Sequence, residues 1–120
     1  YRASEGFLIM TGRNNMQNDK LTLKDSKNQD IWLHVKNIPG SHTIIVTEGR
    51  PVPDGTLTEA ACIAAYNSRA RDSAQVPVDY TAVKNVKKPN GAKPGMVIYE
   101  VYKTLFVTPD GELVKKLAVQ

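Results

Sequence analysis

The apolar positions of this chain switch between a period of two and a period near 3.6, and the switches mark out its elements. "GFLIMTG" (6–12) is a short apolar run punctuated by glycines and predicts a strand. In "NNMQNDKLTLKD", Asn14 is followed three residues later by Gln17 in the form of a capping box, which predicts a helix from about Asn15 to Lys24. "SKNQ" reads as a turn. "DIWLHVK" (30–36) alternates strictly, with Ile31, Leu33 and Val35 on one face and Asp30, Trp32, His34 and Lys36 on the other. "NIPGS" reverses the chain and "HTIIVTE" (42–48) runs back, so an antiparallel pair is expected.

After the Pro/Gly loop "GRPVPDG", Asp54 or Thr56 caps a helix, and Glu59, three residues beyond Thr56, completes a second capping box. The expected span is Leu57 to about Ala70. Leu57, Ala60, Ala61 and Ala64 form a small apolar face that can lie close to a sheet, and Arg69 and Arg71 complement the dipole at the C-terminal end. "VPVDYTAV" (76–83) is a short strand in which Pro77 predicts an edge or irregular position. "KNVKKPNGAKPG" (84–95) reads as a loop, "MVIYEVYKTLFVT" (96–108) as one long last strand, and "PDGELVKKLAV" as a final turn or two of helix. Together these predict an α+β domain: a mainly antiparallel sheet, one principal helix (about 57–70) packed on a face, and a shorter N-terminal helix (about 15–24).

Composition narrows the class. At 120 residues, with 41% hydrophobic and 23% charged residues, the chain suits one globular domain. Sixteen Lys and Arg against twelve Asp and Glu leave a net charge of +4, which favours an anionic partner without naming one. The single cysteine, Cys62, excludes an internal disulfide and a four-cysteine zinc site, and a reducing, cytoplasmic setting is expected. No apolar stretch is long enough to cross a bilayer as a helix, so no membrane partner is expected. Without an initiator methionine, residues 1–120 are expected to be one domain cut from a longer protein.

Candidate chemistry centres on the two histidines. His34, His42 and Asp30 or Asp79 have the composition of a two-histidine, one-carboxylate metal site, but no helical H-E-x-x-H or H-x-x-E-H spacing supports it. Ser41 and His42 are adjacent without a G-x-S-x-G elbow, and Cys62 sits in an alanine-rich face suited to a buried thiol. Catalysis therefore ranks below binding, with no cofactor, no metal and no enzyme activity expected. Lys84, Lys87, Lys88 and Lys93 crowd a segment that Pro89, Gly91, Pro94 and Gly95 keep open; it suits phosphate, or it is a solvated basic loop. Trp32, His34 and Lys36 share a strand face that can stack a base and hold its phosphate; the competing reading puts Trp32 in the core and leaves His34 at the surface. Arg13, Asn14, Asn15, Gln17 and Asn18 can cap the first helix or meet sugar and phosphate groups.

"GRNNMQND-LT-K", "DIWLHVKNIPGSH", "EAACIAAYNSRAR", "VDYTAVKNVKKPNGAKPG" and "YKTLFVTP" occur in the order seen in the NFACT-R domain, and the chain resembles that family over roughly residues 4–110. NFACT-R is the RNA-binding domain of NFACT proteins, whose bacterial members have long been labelled fibronectin-binding protein-like. The resemblance implies a part in ribosome quality control: binding to obstructed large ribosomal subunits and their rRNA, recruitment of tRNA, and poly-alanine tailing in bacteria, shared with other domains of the parent chain. The matching positions are Gly12, Arg13, Asn14, Asn15, Asn18, Asp19, Trp32, His34, Pro39, Gly40, Ser41, His42, Asp79, Tyr80, Thr81, Lys84, Lys87, Lys88, Pro89, Gly95 and Lys103. Departures are mild: Thr11 precedes Gly12, Met16 interrupts the polar run, and Thr43 stands where valine is common. From residues and resemblance together, the candidate RNA contacts are Arg13, Asn14, Asn15, Trp32, His34, Lys36, Ser41, His42, Lys84, Lys87, Lys88 and Lys93. The histidines are expected to close a polar surface at the Pro-Gly turn, touching RNA or ordering the lysine loop. A protein-binding adhesin module and a metal-dependent hydrolase using His34, His42 and a carboxylate are the alternatives.

Overall fold

The computed structural model describes residues 1–119. Its elements run β1 (Leu8–Thr11), α1 (Asn15–Lys20), β2 (Ile31–Val35), β3 (Thr43–Val46), α2 (Asp54–Tyr66), β4 (Val76–Ala82), β5 (Val86–Lys87), β6 (Ile98–Tyr99), β7 (Lys103–Val107) and α3 (Gly111–Leu117). Five strands form an antiparallel sheet in the order β1-β3-β2-β4-β7, and β5 and β6 pair separately as a small hairpin. This is the α+β architecture the periodicity predicts.

The sheet is covered on both faces. On one, Leu33, Val35, Ile45 and Val78 pack with α2 and with Val114 and Leu117 of α3. Ala60, Ala61, Ala64 and Ala65 are fully buried, so the small side chains let α2 settle close to the strands. On the other face Leu21, Trp32, Ile44, Val83 and Val86 form a second core, closed by Val97 and Tyr99 from the β5–β6 hairpin. The polar side of β2 is therefore roofed rather than open.

Several local expectations are corrected. Asn14 caps α1 by accepting from the Gln17 amide at 2.9 Å, but α-helical geometry stops at Lys20 and the path continues as a wider π turn over Leu21–Asp25. That turn buries the neighbouring Leu21 and Thr22 together. The principal helix spans Asp54–Tyr66, not 57–70. Neither Asp54 nor Thr56 caps it: the helix starts at Asp54 after Pro53 with no side-chain cap, so Thr56 lies inside the first turn, and Glu59 instead accepts from the Ser4 amide and hydroxyl at 2.9 and 2.5 Å. The helix ends early because the Pro-Gly turn captures the chain: Gly40 bridges Ser68, and the Ser41 amide donates to Asn67 O at 3.2 Å. Pro77 does not place β4 at an edge, since β4 lies between β2 and β7. Its carbonyl accepts from the Lys36 amide just past the end of β2, and its absent N–H points to that same side, where the ladder has already stopped. The long last strand is broken into β6 and β7, with the Thr81 hydroxyl donating to Val101 O at 2.6 Å in the intervening bend.

Candidate functional site

Register places the site. His34 pairs with Asp79, and Asp79 with Thr104; the next row holds Trp32 and Thr81. Paired residues share a face, so these side chains point together toward the β5–β6 hairpin. Asp79 is 1% exposed and serves as a hub. It accepts from the Tyr99 hydroxyl at 2.7 Å, from the Thr104 hydroxyl at 2.7 Å and from Lys36 Nζ at 3.3 Å. Burial, and then the bond to Asp79, push the Tyr99 phenol above its ordinary range, so it stays a donor. Lys36 Nζ also lies 4.6 Å from the Tyr102 ring centroid and donates to its hydroxyl at 3.2 Å.

The two histidines sit against Trp32. The indole stacks on His34 with centroids 5.7 Å apart and meets His42 edge-on at 5.5 Å, while Tyr99 covers it at 4.7 Å. His42 is 1% exposed. Its Nε2–H donates to Gly95 O at 3.2 Å, and its Nδ1 lies 2.8 Å from the Thr22 hydroxyl, which donates to it when the imidazole is neutral. Burial, with the neighbouring His34, holds its pKa down at about 4. His34 Nδ1–H donates to Val35 O at 2.6 Å, while Nε2 faces Gly40 O at 3.3 Å. Protonation would satisfy both carbonyls, but burial outweighs them and lowers its pKa.

The same contacts fasten the lysine-bearing hairpin. Gly95 donates its amide to Asp19 Oδ1 at 3.0 Å, and Lys88 Nζ pairs with Asp19 Oδ2 at 3.1 Å. Lys88 also donates to Lys93 O at 2.7 Å and Met96 O at 3.3 Å. Gly95 has φ +85°, and an added Cβ would press on Asn15. Gly12 donates to His42 O at 3.2 Å, and a Cβ there would collide with Asn18, whose side chain accepts from the His42 amide at 3.1 Å. Of the two roles expected for the histidines, ordering the loop is the one that His42's bonds describe.

Among the sequence candidates, Asn15, His34 and His42 line one cleft of about 490 Å³, walled by Pro39, Met96 and Tyr99. Lys36 lies beyond the end of β2 on the same face. Lys87 and Lys93 are exposed on the hairpin, whereas Lys88 is spent in holding it. Lys84 lies apart, its amide bonded to Asn28 O near the start of β2. Asn14 is engaged as the α1 cap, and Trp32 is buried beneath His34 and Tyr99. Arg13 and Ser41 fall in a different cleft. No group of three or more His, Cys, Asp or Glu among the described residues is placed to hold a metal. Burial pushes the Cys62 thiol up, away from the reactive thiolate. Sequence reasoning missed Tyr99, Tyr102 and Arg71. The first two read as ordinary strand residues, and only the bend at Glu100–Tyr102 between β6 and β7 turns them onto Asp79 and Lys36.

The family profile described as the NFACT protein RNA binding domain matches residues 1–100. The chain belongs to the NFACT-R family. As an NFACT-R domain it is 52% identical over 117 residues to the Rqc2 homolog RqcH of Bacillus subtilis (strain 168), covering 98% of this chain and 20% of that protein. It is 36% identical over 77 residues to the ribosome quality control complex subunit 2 of Schizosaccharomyces pombe, covering 62% of this chain and 7% of that protein. The chain thus spans about a fifth of the bacterial relative. The solved C-terminal structure of the fibronectin/fibrinogen-binding protein from Streptococcus suis superposes with a TM-score of 0.95 at 45% identity, over 99% of this chain and 48% of that one. The motif residues of the NFACT-R domain therefore include many that build the fold: Gly12, Asn18, Asp19, His42, Lys88 and Gly95 are all joined in the network under the hairpin. Among the described residues no helix is long and apolar enough to cross a membrane.

Proposed function

We propose that this NFACT-R domain is the RNA-contacting module of a longer ribosome quality-control factor, one that engages obstructed large ribosomal subunits and tRNA and, in bacteria, serves alanine tailing. The module itself performs no catalysis. One observation carries the reading: the hairpin that bears exposed Lys87 and Lys93 is fastened over the face that holds the His34 cleft and Lys36. Lys84, Lys87 and Lys93 form no ion pair among the described residues, so their charges are free for phosphate. Lys88, His42 and Asp19 hold the surface in shape. Binding of a labelled bacterial tRNA, measured by anisotropy across a salt series, tests this. Lys84→Gln/Lys87→Gln/Lys93→Gln is expected to weaken binding roughly tenfold or more and to flatten the salt slope by about 2, since each lost phosphate contact removes about 0.7–0.9. Unchanged affinity and slope would sink the reading.

The name of the Streptococcus suis neighbour favours a second reading, a module that binds fibronectin or fibrinogen. Capture of fibronectin at physiological salt with no retention of tRNA would select it.

A further inference from the structure

On the far side of the Pro39–Ser41 turn from the His34 cleft lies a second, larger cleft of about 770 Å³. It runs along β1 and past the C-terminal end of α2, and its polar lining includes Tyr1, Thr11, Arg13, Asn67, Ser68 and Arg71. Among the described residues no Asp or Glu lines it. Arg71 is held in a fixed pose. Its Nε–H donates to Tyr66 O at 2.7 Å, and its guanidinium lies 4.1 Å from the Tyr66 ring centroid. Neither terminal nitrogen of Arg71 forms an ion pair or hydrogen bond among the described residues, so the two-pronged end of the fork remains free. Arg13 is exposed, and its side chain is likewise without a partner among the described residues.

The end of a helix is an unfavourable place for an anion, because its last carbonyls carry partial negative charge. Here four of the carbonyls at this end already have donors. Asn67 donates its amide and Nδ2 to Ile63 O, Ser68 Oγ donates to Ala65 O, Arg71 takes Tyr66 O, and the Ser41 amide takes Asn67 O. Among the described residues, the charged side chains that line the cleft without an ionic partner are the guanidinium groups of Arg13 and Arg71.

We propose that this cleft is a phosphate seat for RNA, with Arg71 as its bidentate anchor and Arg13 as its second charge, so that bound RNA engages both sides of the Pro-Gly turn. This rests on the RNA-binding reading above. It adds a contact that the lysine hairpin cannot make. Pre-stacking on Tyr66 means that Arg71 loses little side-chain freedom when it grips a phosphodiester.

The experiment compares labelled tRNA with phosphatidylglycerol vesicles as probes for the chain and its variants. Arg13→Gln/Arg71→Gln is expected to lower tRNA affinity five- to twenty-fold at 100 mM salt and to cut the salt slope by about 1.5, two contacts' worth. Arg71→Lys, which keeps the charge, should recover most of the slope. Arg13→Gln alone, which removes no side-chain contact, should take about half of it even if Arg71→Gln proves unstable. If the double variant binds tRNA as the parent does while the triple lysine variant is weakened, the phosphate seat is refuted and the RNA reading survives. If the parent chain shows no salt-dependent tRNA binding, both fail. An equal loss on the lipid vesicles overturns the assignment to RNA.

Discussion

Thr43 shows how one residue's chemistry can be out of step with its place. It is fully buried on the α2 side of the sheet, paired with Leu33 and Thr11, and its hydroxyl finds no partner. A buried, unpaired hydroxyl costs on the order of 1–3 kcal/mol. Valine has the same shape without that cost, so Thr43→Val should stabilise the fold by about 1 kcal/mol, visible as a higher urea midpoint with an unchanged m-value. His42 makes the opposite point, because every polar atom of its ring is used. Its folded pKa of about 4 lies below the usual 6.5, so the unfolded chain binds the proton more readily. Stability is then whole above about pH 6.5 and falls as pH drops toward 4, where the loss reaches on the order of 3 kcal/mol from this residue. His34, also shifted down by burial, adds to the same trend. Urea midpoints between pH 7.5 and 4.5 should fall more steeply for the parent than for His42→Gln; parallel curves would contradict the neutral, buried imidazole.

At the scale of elements, the β5–β6 hairpin is the part whose order depends on other parts. Its own ladder is two pairs long, Val86 with Tyr99 and Lys87 with Ile98, too short to stand alone. It is held from below by Val86, Val97 and Tyr99 on Trp32, and from the side by Asp19 on α1, which binds both Gly95 and Lys88. Asp19→Asn keeps the size of the side chain but loses the ion pair with Lys88. It is expected to speed amide exchange over residues 86–99 by roughly five- to ten-fold, with β2 and β4 unaffected; uniform protection across the chain would show that the hairpin needs no such tie. The hairpin's lysines were legible in the sequence, and β6 was legible as part of the long last strand, yet β5 and the pairing of the two were not. A pair of two-residue strands separated by a Pro/Gly-rich stretch leaves no period to read. The overlong principal helix has a related cause: Arg69 and Ala70 suit a helix, but Asn67 and Ser68 favour a helix end, and the bridge from Ser68 to Gly40, far away in sequence, fixes the end there.

For the whole molecule, the sheet divides the charge into two surfaces. Lys36, Lys87 and Lys93 belong to the hairpin side, and Lys115 and Lys116 are exposed on α3, which packs with α2 across the sheet. If RNA is gripped locally rather than drawn by net charge, Lys115→Gln/Lys116→Gln should change tRNA affinity less than twofold, although it removes two positive charges. A loss approaching that of the triple lysine variant would mean that binding is diffuse attraction to a basic protein. The division also explains why the site candidates scatter. Arg13 and Ser41 are close in sequence to Asn15 and His42, but the Pro-Gly turn lies between their clefts.

The sequence by itself determined the class of fold, the antiparallel hairpin of β2 and β3, the cap of α1 and the membership of the NFACT-R family, because these depend on near neighbours, on a period of two, or on ordered motifs. Only the tertiary structure decided that the polar side of β2 is roofed, that β4 is an interior strand, that Lys88 is a fastener while Lys87 is free, and that Arg71 stands ready beside Tyr66. Each of those outcomes depends on a partner many residues distant, and a one-dimensional pattern records what a side chain is but not what comes to lie against it.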